Sequence, residues 1–326
     1  MNTSETSKIR VAIEGAAGYT AGELLRILLF HPYAVVKYLH SDSHAGKPVY
    51  TVHKDLLGET DLVFSDIDYQ DTDVVFLCKG HGQSVLLMEQ NTLPDHVKVI
   101  DLSADFRDES HNFVYGLPEL QREKIKSSNF IANPGCFATS VELALLPLAA
   151  AGLLKNEVHI TSITGSTGAG QSPSDTTHFS WRNNNISVYK PFRHQHLKEI
   201  GMCVTKLQPG FDKSINLVPV RGNFSRGILT SCYTDCDTSP EDIEKLYSGF
   251  YSGHPFTIIT RSNPDLKQVV NTNKCILYVE RVDNKLYLLS LIDNLLKGAS
   301  GQAVQNMNLV FGLPEDAGLH LKSIGF

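Results

Sequence analysis

A short apolar run, KIRVAIE at residues 8–14, passes directly into Gly15-Ala16-Ala17-Gly18, and residues 21–30 then carry the apolar periodicity of a helix that Pro32 stops. No other feature constrains the chain as much. A strand leading through a glycine turn into a helix places free backbone N–H groups and a helix N-terminus at the end of a sheet, where a pyrophosphate is bound in dinucleotide-binding folds. The spacing here is G-x-x-G rather than G-x-G-x-x-G, so the argument rests on context as well as on the turn itself. That context is supportive: further strand-like runs at 34–40, 61–64, 73–78, 97–102 and 129–132 read as apolar over most of their length, as parallel strands covered on both faces do. The expected fold is α/β, a Rossmann-type doubly wound parallel sheet over residues 1–135.

From residue 136 the pattern changes. Residues 137–151 form a helix apolar on most faces, and longer strands follow at 158–164, 215–220, 228–234, 274–282 and 285–292, the last two as a hairpin around Asp283 and Asn284. A capped helix is expected at 239–251, where Ser-Pro-Glu-Asp opens it. This describes a second, α+β catalytic domain at 136–297 with a mixed or antiparallel sheet and helices on one face. A final helix at 301–311, within residues 298–326, is expected to return to the first domain.

At 326 residues there is room for two such domains, and the net charge of -6 argues against a broad nucleic-acid or membrane surface, which needs a basic face. No run of about 20 apolar residues is present to span a bilayer, and the polar stretch 1–10 lacks the apolar centre of a signal peptide. Six cysteines in a chain this long read as reduced thiols of a cytoplasmic protein. Cys232 and Cys236 have no second ligand pair, so no metal is expected.

One of those thiols stands apart. Cys136 follows Asn133-Pro134-Gly135 and opens the long helix, where the dipole and free amides stabilise a thiolate. Thiolate chemistry needs a proton partner, and His194-Gln195-His196 offers two imidazoles. With a helix starting near His196, Glu199 lies one turn on, on the same face, able to orient the ring. Residues 165–170, a glycine-rich run containing Gly165 and Gly168, could wrap an anion or approach a cofactor. Arg221 or Arg226 could grip a carboxylate. After the second strand, Asp42 would suit the free 2′-hydroxyl of NAD, whereas Ser41, Ser43 and Lys47 would suit the 2′-phosphate of NADP, so the residues alone leave both open.

Taken in order, these segments resemble the N-acetyl-gamma-glutamyl-phosphate reductases of arginine biosynthesis, relatives of aspartate-semialdehyde dehydrogenase. The resemblance runs through nearly the whole chain: GAAGYTAGELLR at 15–26, AGKPV at 45–49, DLSADFR at 101–107, YGLPEL at 115–120, NPGCFAT at 133–139, HQHLKEI at 194–200 and DNLLKGASGQAVQNMN at 293–308. It implies NADPH-dependent reduction of an N-acyl-gamma-glutamyl phosphate to the semialdehyde, with release of phosphate, through a thioester on Cys136. His194 and His196 would supply the acid/base, with Glu199 behind them. Gly15, Ala17, Gly18, Tyr19 and Thr20 would line the pyrophosphate turn, Asn294 and Gly298 would lie near the nicotinamide, and Arg107, Asn133 and Arg226 would meet the substrate. A homodimer or homotetramer is implied. Reductases of aspartyl phosphate or of a carrier-bound aminoadipyl phosphate share this chemistry, and a non-catalytic NADP(H)-binding regulator would share the first domain. The chain departs from the family in Lys79-Gly80-His81-Gly82, where Pro-His-Gly is usual, in Lys198 where proline is usual, and in Asp42.

Overall fold

A computed structural model of the chain describes residues 8–91 and 93–325, so most of the polar stretch 1–10 lies outside the described residues. The described residues form two compact units: those up to Asn133 together with Ser300–His320, and Pro134–Ala299 together with those from Leu321 onwards. The last residues thus group with the second unit, not with the first as the sequence suggested.

In chain order the first unit contains β1 (Ile9–Glu14), α1 (Tyr19–Leu28), β2 (Ala34–His40), β3 (Val74–Leu77), α2 (Gln83–Gln90), β4 (Lys98–Asp101), β5 (Val114–Tyr115), α3 (Pro118–Lys126) and β6 (Phe130–Ala132). All six strands are parallel, in the order β2-β1-β3-β4-β6-β5. β3 is buried at every residue, because helices on both sides leave it no wet face. The chain leaves β1 towards β2 and returns across β1 to β3, so the strand order reverses beside β1. Ligands of open α/β sheets bind outside the carboxyl ends of strands at such a reversal.

The strand expected at 61–64 does not form; only an isolated bridge joins Pro48 to Val63. Its apolarity serves a different purpose. Phe64 is fully buried and packs on His44, while its backbone pairs with Lys47, so the segment lines a loop beneath the end of β2.

The second unit contains α4 (Cys136–Ala150), β7 (Val158–Thr164), α5 (Phe179–Arg182), β8 (Ser187–Val188), α6 (His196–Leu207), β9 (Ile215–Arg221), β10 (Ile228–Asp235), α7 (Pro240–Phe250), β11 (Thr257–Thr260), β12 (Cys275–Val282) and β13 (Lys285–Ile292). Its sheet runs β11-β12-β13-β10-β7-β9-β8 and mixes parallel with antiparallel pairs. The expected hairpin turns at Asp283, whose φ of 53° matches the tight two-residue connection. After β13 a single π-helical turn, Leu296–Ser300, leads into α8 (Gly301–Val310), which belongs to the first unit.

Helix α4 is the core of the second unit. Every residue from Phe137 to Ala149 is buried, and each fully buried Leu or Val contributes about 1.5–3 kcal/mol of transfer free energy. Two devices hold this helix in register. Ser140 Oγ donates to Thr230 Oγ1 at 2.8 Å, and Ser162 shares that hydroxyl at 2.6 Å, a closed polar network beneath the helix. Pro147 has no N–H to offer the carbonyl of Leu143 one turn back. That carbonyl instead accepts the Tyr251 hydroxyl at 2.5 Å, while Tyr247 donates to Ala144 at 2.6 Å.

Candidate active site

Within the second unit, Cys136 is the first residue of α4, with Gly135 as an N-cap that carries no side chain. The thiol is half-buried and unbonded to another cysteine. It differs in this from the packed thiols: burial pushes Cys232 up to about 12 and Cys203 well above its ordinary value. In the first unit, Cys78 is half-buried as Cys136 is, and desolvation pushes its thiol up to about 12.

The imidazoles meet this helix start through its first turn. The Phe137 ring stands edge-on to His194 with centroids 5.2 Å apart and to His196 at 6.1 Å, and the two imidazoles are 4.5 Å apart. His196 opens α6 as expected and is buried. Its Nε2 lies 3.9 Å from Glu199 Oε1, a charge contact longer than a hydrogen bond. The other oxygen of the same carboxylate, Oε2, accepts the backbone N–H of Gly135 at 2.8 Å. Glu199 therefore ties the helix carrying the histidine to the residue preceding the cysteine. His194 behaves differently. Burial, reinforced by the nearby Lys190 charge and opposed by Glu199, lowers it to about 4, so its ring is neutral near pH 7.

Sequence reasoning missed Tyr189. It lies five residues before His194 in a stretch with no periodicity, and the fold brings its ring to 5.8 Å from His194 and 6.4 Å from Phe137. Burial pushes its phenol up to about 12, with the Cys136 charge adding to the effect and Arg221 opposing it. Arg221 stacks on the Tyr189 ring at 4.8 Å.

The remaining residues expected in this unit take supporting positions. A methyl group built at Gly165 would sit 2.4 Å from the Ser225 carbonyl oxygen, so only glycine allows the two segments to touch. Gly168 sits against Thr164, with the Asn294 amide just beyond. Asn294 accepts from the Gly227 amide at 2.7 Å and donates to Thr167 at 3.0 Å, stitching the glycine-rich loop to the start of β10. Arg226 is engaged by the fully buried Asp293 at 3.1 and 3.2 Å. A Cβ at Gly298 would fall 2.8 Å from Cys136 Cβ and 3.2 Å from its Cα. Glycine here lets the backbone pass directly against the nucleophile.

In the first unit, Gly15 has φ +72°, and a Cβ there would lie 2.9 Å from the Cys78 carbonyl. Both facts demand glycine. The turn carries half-buried Ala17 and Gly18 and delivers Tyr19 and Thr20 as the first turn of α1, whose N-cap Gly18 offers no side chain to its amides. These amides fit a pyrophosphate. At the end of β2, Ser41 and Ser43 both reach His44 Nδ1, at 3.2 and 2.8 Å, and Lys47 is exposed. The exposed Asp42 carboxylate lies 3.7 Å from His40 Nε2 and 3.9 Å from Lys79 Nζ. Glu14 holds both partners more closely, His40 Nδ1 at 2.9 Å and Lys79 Nζ at 3.3 Å, and Lys79 comes from the segment that departs from the family pattern. Arg107 is buried, donating from Nε to the Asn133 carbonyl at 2.9 Å and from Nη2 to Leu102 at 3.2 Å. The Asn133 side chain accepts from Asn306 at 3.1 Å. Both help to hold the strand end that leads to Cys136.

Residues 10–128 match the family described as semialdehyde dehydrogenase, NAD binding domain, and residues 136–294 match semialdehyde dehydrogenase, dimerisation domain. The chain is 55% identical over 321 residues to the N-acetyl-gamma-glutamyl-phosphate reductase of Parabacteroides distasonis, covering 98% of this chain and 100% of that protein. It is 54% identical over 317 residues to that of Christiangramia forsetii, covering 97% and 99%. Among solved structures, aspartate semialdehyde dehydrogenase II of Vibrio cholerae matches with a TM-score of 0.71 at 18% identity, over 94% of this chain and 99% of that one. The Candida albicans enzyme with NADP gives 0.68 at 14%, over 94% and 99%; at such identities the likeness is one of fold. Two matching domains and full-length relatives above half identity place the chain in the N-acetyl-gamma-glutamyl-phosphate reductase family, an oxidoreductase branch of the semialdehyde dehydrogenases.

Proposed function

We propose that the chain reduces an N-acyl-gamma-glutamyl phosphate to the corresponding semialdehyde, through a thioester on Cys136. The observation that carries this reading is the Glu199 carboxylate, which reaches both the Gly135 amide and His196 and so couples a helix-start thiol to a buried imidazole. His196 takes the thiol proton as sulfur attacks the acyl carbon. The carbon–oxygen bond to phosphorus breaks, and inorganic phosphate leaves with the bonding pair. When bound, NADPH supplies the hydride that the thioester carbonyl receives. His196 returns its proton to the carbonyl oxygen to give the thiohemiacetal, whose collapse breaks the carbon–sulfur bond, leaves the pair on Cys136 and passes the hydroxyl proton back to the imidazole. His196 takes this role because Glu199 faces it, whereas His194, near 4, is too weak a base to carry a proton at pH 7. Tyr189 keeps its proton and can donate to an oxyanion formed at the sulfur.

The dinucleotide would be held by the Gly15–Gly18 turn, Tyr19 and Thr20, with Ser41, Ser43, Lys47 and Lys79 around the ribose; the exposed Lys47 beside the two serines supports NADP over NAD. The six cysteines are free, which suits a reducing compartment such as the cytoplasm; among the described residues no helix is long and apolar enough to cross a membrane. A homo-oligomer is supported by the dimerisation-domain match and by Tyr233, Ile258 and Val282, large apolar side chains exposed on strands of the second sheet. The direct test is Cys136→Ser. It should bind NADPH as the wild type does and lose nearly all phosphate-dependent turnover; activity within about tenfold of wild type would eliminate covalent catalysis.

A further inference from the structure

Arg182 closes α5 and is only 8% exposed. Its Nη2 donates to the Asn185 carbonyl at 2.9 Å, while Nε and Nη1 are buried without any hydrogen-bond partner. Arg221, at the end of β9 and in register with Ser187 of β8, likewise has a buried Nε without a partner. Among the described residues, neither guanidinium has a carboxylate within ion-pair reach, and the charge that acts on Arg182 is that of Arg221, which repels it. Burying an arginine without a counterion is costly, and placing a second beside it adds to the cost. The N–H groups left empty in this way, Nε and Nη1 of Arg182 and Nε of Arg221, match an oxyanion, which guanidinium groups bind through paired donors. Arg226 shows the contrast, since Asp293 already engages it. The location is informative too: Arg221 stacks on Tyr189, and Tyr189 feels the charge of Cys136.

We propose that Arg182 and Arg221 form an oxyanion subsite of the substrate, one side chain removed from Cys136. The proposal rests on the acyl-phosphate reading of the site. Three groups of such a substrate share the required chemistry: the phosphoryl group, the α-carboxylate, and a carboxylate ending the N-acyl group, as in a succinyl rather than an acetyl substituent.

Trp181 is the chain's single tryptophan, and the Arg182 guanidinium carbon lies 5.0 Å from its ring centroid, so tryptophan emission reports on the subsite. Wild-type protein is titrated separately with inorganic phosphate, N-acetylglutamate and N-succinylglutamate. A saturable change is expected with at least one of them, its midpoint rising at least about tenfold in Arg221→Gln and less in Arg221→Lys. Steady-state oxidation of N-acetyl- and N-succinyl-glutamate semialdehyde with phosphate then identifies the group. A rise in KM for phosphate alone selects the phosphoryl group. A rise for the succinylated substrate alone selects the acyl carboxylate, and an equal rise for both semialdehydes selects the α-carboxylate. No saturable response to any of the three anions in wild type overturns the proposal, as do unchanged KM values in a folded Arg221→Gln. Should the variant not fold, the wild-type titration decides. Should wild type oxidise neither semialdehyde, the reaction reading fails, while the titration still tests the subsite.

Discussion

Glu199 accepts the Gly135 amide through one carboxylate oxygen at 2.8 Å and faces His196 Nε2 with the other at 3.9 Å, so one side chain fixes both the approach to the nucleophile and the charge beside its proton partner. The two tasks can be separated by substitution. Glu199→Gln keeps an acceptor for Gly135 but removes the charge; kcat should fall by about 10²-fold or more with little change in Tm. Glu199→Ala removes both and leaves a buried N–H without a partner, adding a stability loss of about 1–3 kcal/mol. Thermal unfolding alongside steady-state kinetics of the two variants checks this. Equal kinetics for wild type and Glu199→Gln would show that the carboxylate charge plays no part.

Gly298 lies so close to Cys136 that an added methyl would meet its Cβ at 2.8 Å, with the Asp293 carbonyl at 3.3 Å on another side. Gly298→Ala must therefore displace the cysteine backbone, at a stability cost of about 1–3 kcal/mol. Alkylation of Cys136 by iodoacetamide, followed by peptide mass spectrometry, should slow by roughly tenfold as the helix start shifts. An unaltered alkylation rate would mean that the close approach has no bearing on the sulfur.

His194 is held near 4 by burial, against 6.5 for an ordinary imidazole. Because the folded state binds this proton less readily than the unfolded chain, stability falls as pH drops through the window from 6.5 to 4, and the effect vanishes above it. His194→Gln should then lose less Tm than wild type between about pH 7 and about pH 4.5. Parallel losses in the two proteins would contradict the assignment.

The Tyr251 hydroxyl occupies the Leu143 carbonyl that Pro147 cannot reach. Tyr251→Phe leaves that buried oxygen without this donor, so denaturant unfolding should show a loss of about 1–3 kcal/mol. A loss below about 0.5 kcal/mol would indicate that another donor takes its place.

Much of this architecture is readable without coordinates. Local patterns suffice for β7 and β13, which form at the expected residues 158–164 and 285–292, and for α4 and the Cys136 helix start, because apolar pattern and turn chemistry are properties of neighbouring residues. The helix spacing of His196 and Glu199 was legible for the same reason. What escaped depends on distant partners. The run at 61–64 looks like a strand, yet Phe64 packs beneath a loop. α2, α3 and β11 are short or weakly patterned, and their packing defines them more than their sequence does. Tyr189 and Arg182 come from an irregular stretch that β9 holds in place, and nothing local announces them. Arg221 and Arg226 are alike in sequence, and only Asp293, far along the chain, tells them apart.

A thioester on Cys136 can be trapped chemically. Protein mixed with N-acetyl-gamma-glutamyl phosphate in the absence of reduced cofactor, quenched in acid and digested, should carry the acyl group on the peptide containing Cys136. Hydroxylamine should release that group, and Cys136→Ser should carry none. An unlabelled Cys136 peptide in protein that still turns over when NADPH is added would contradict the account.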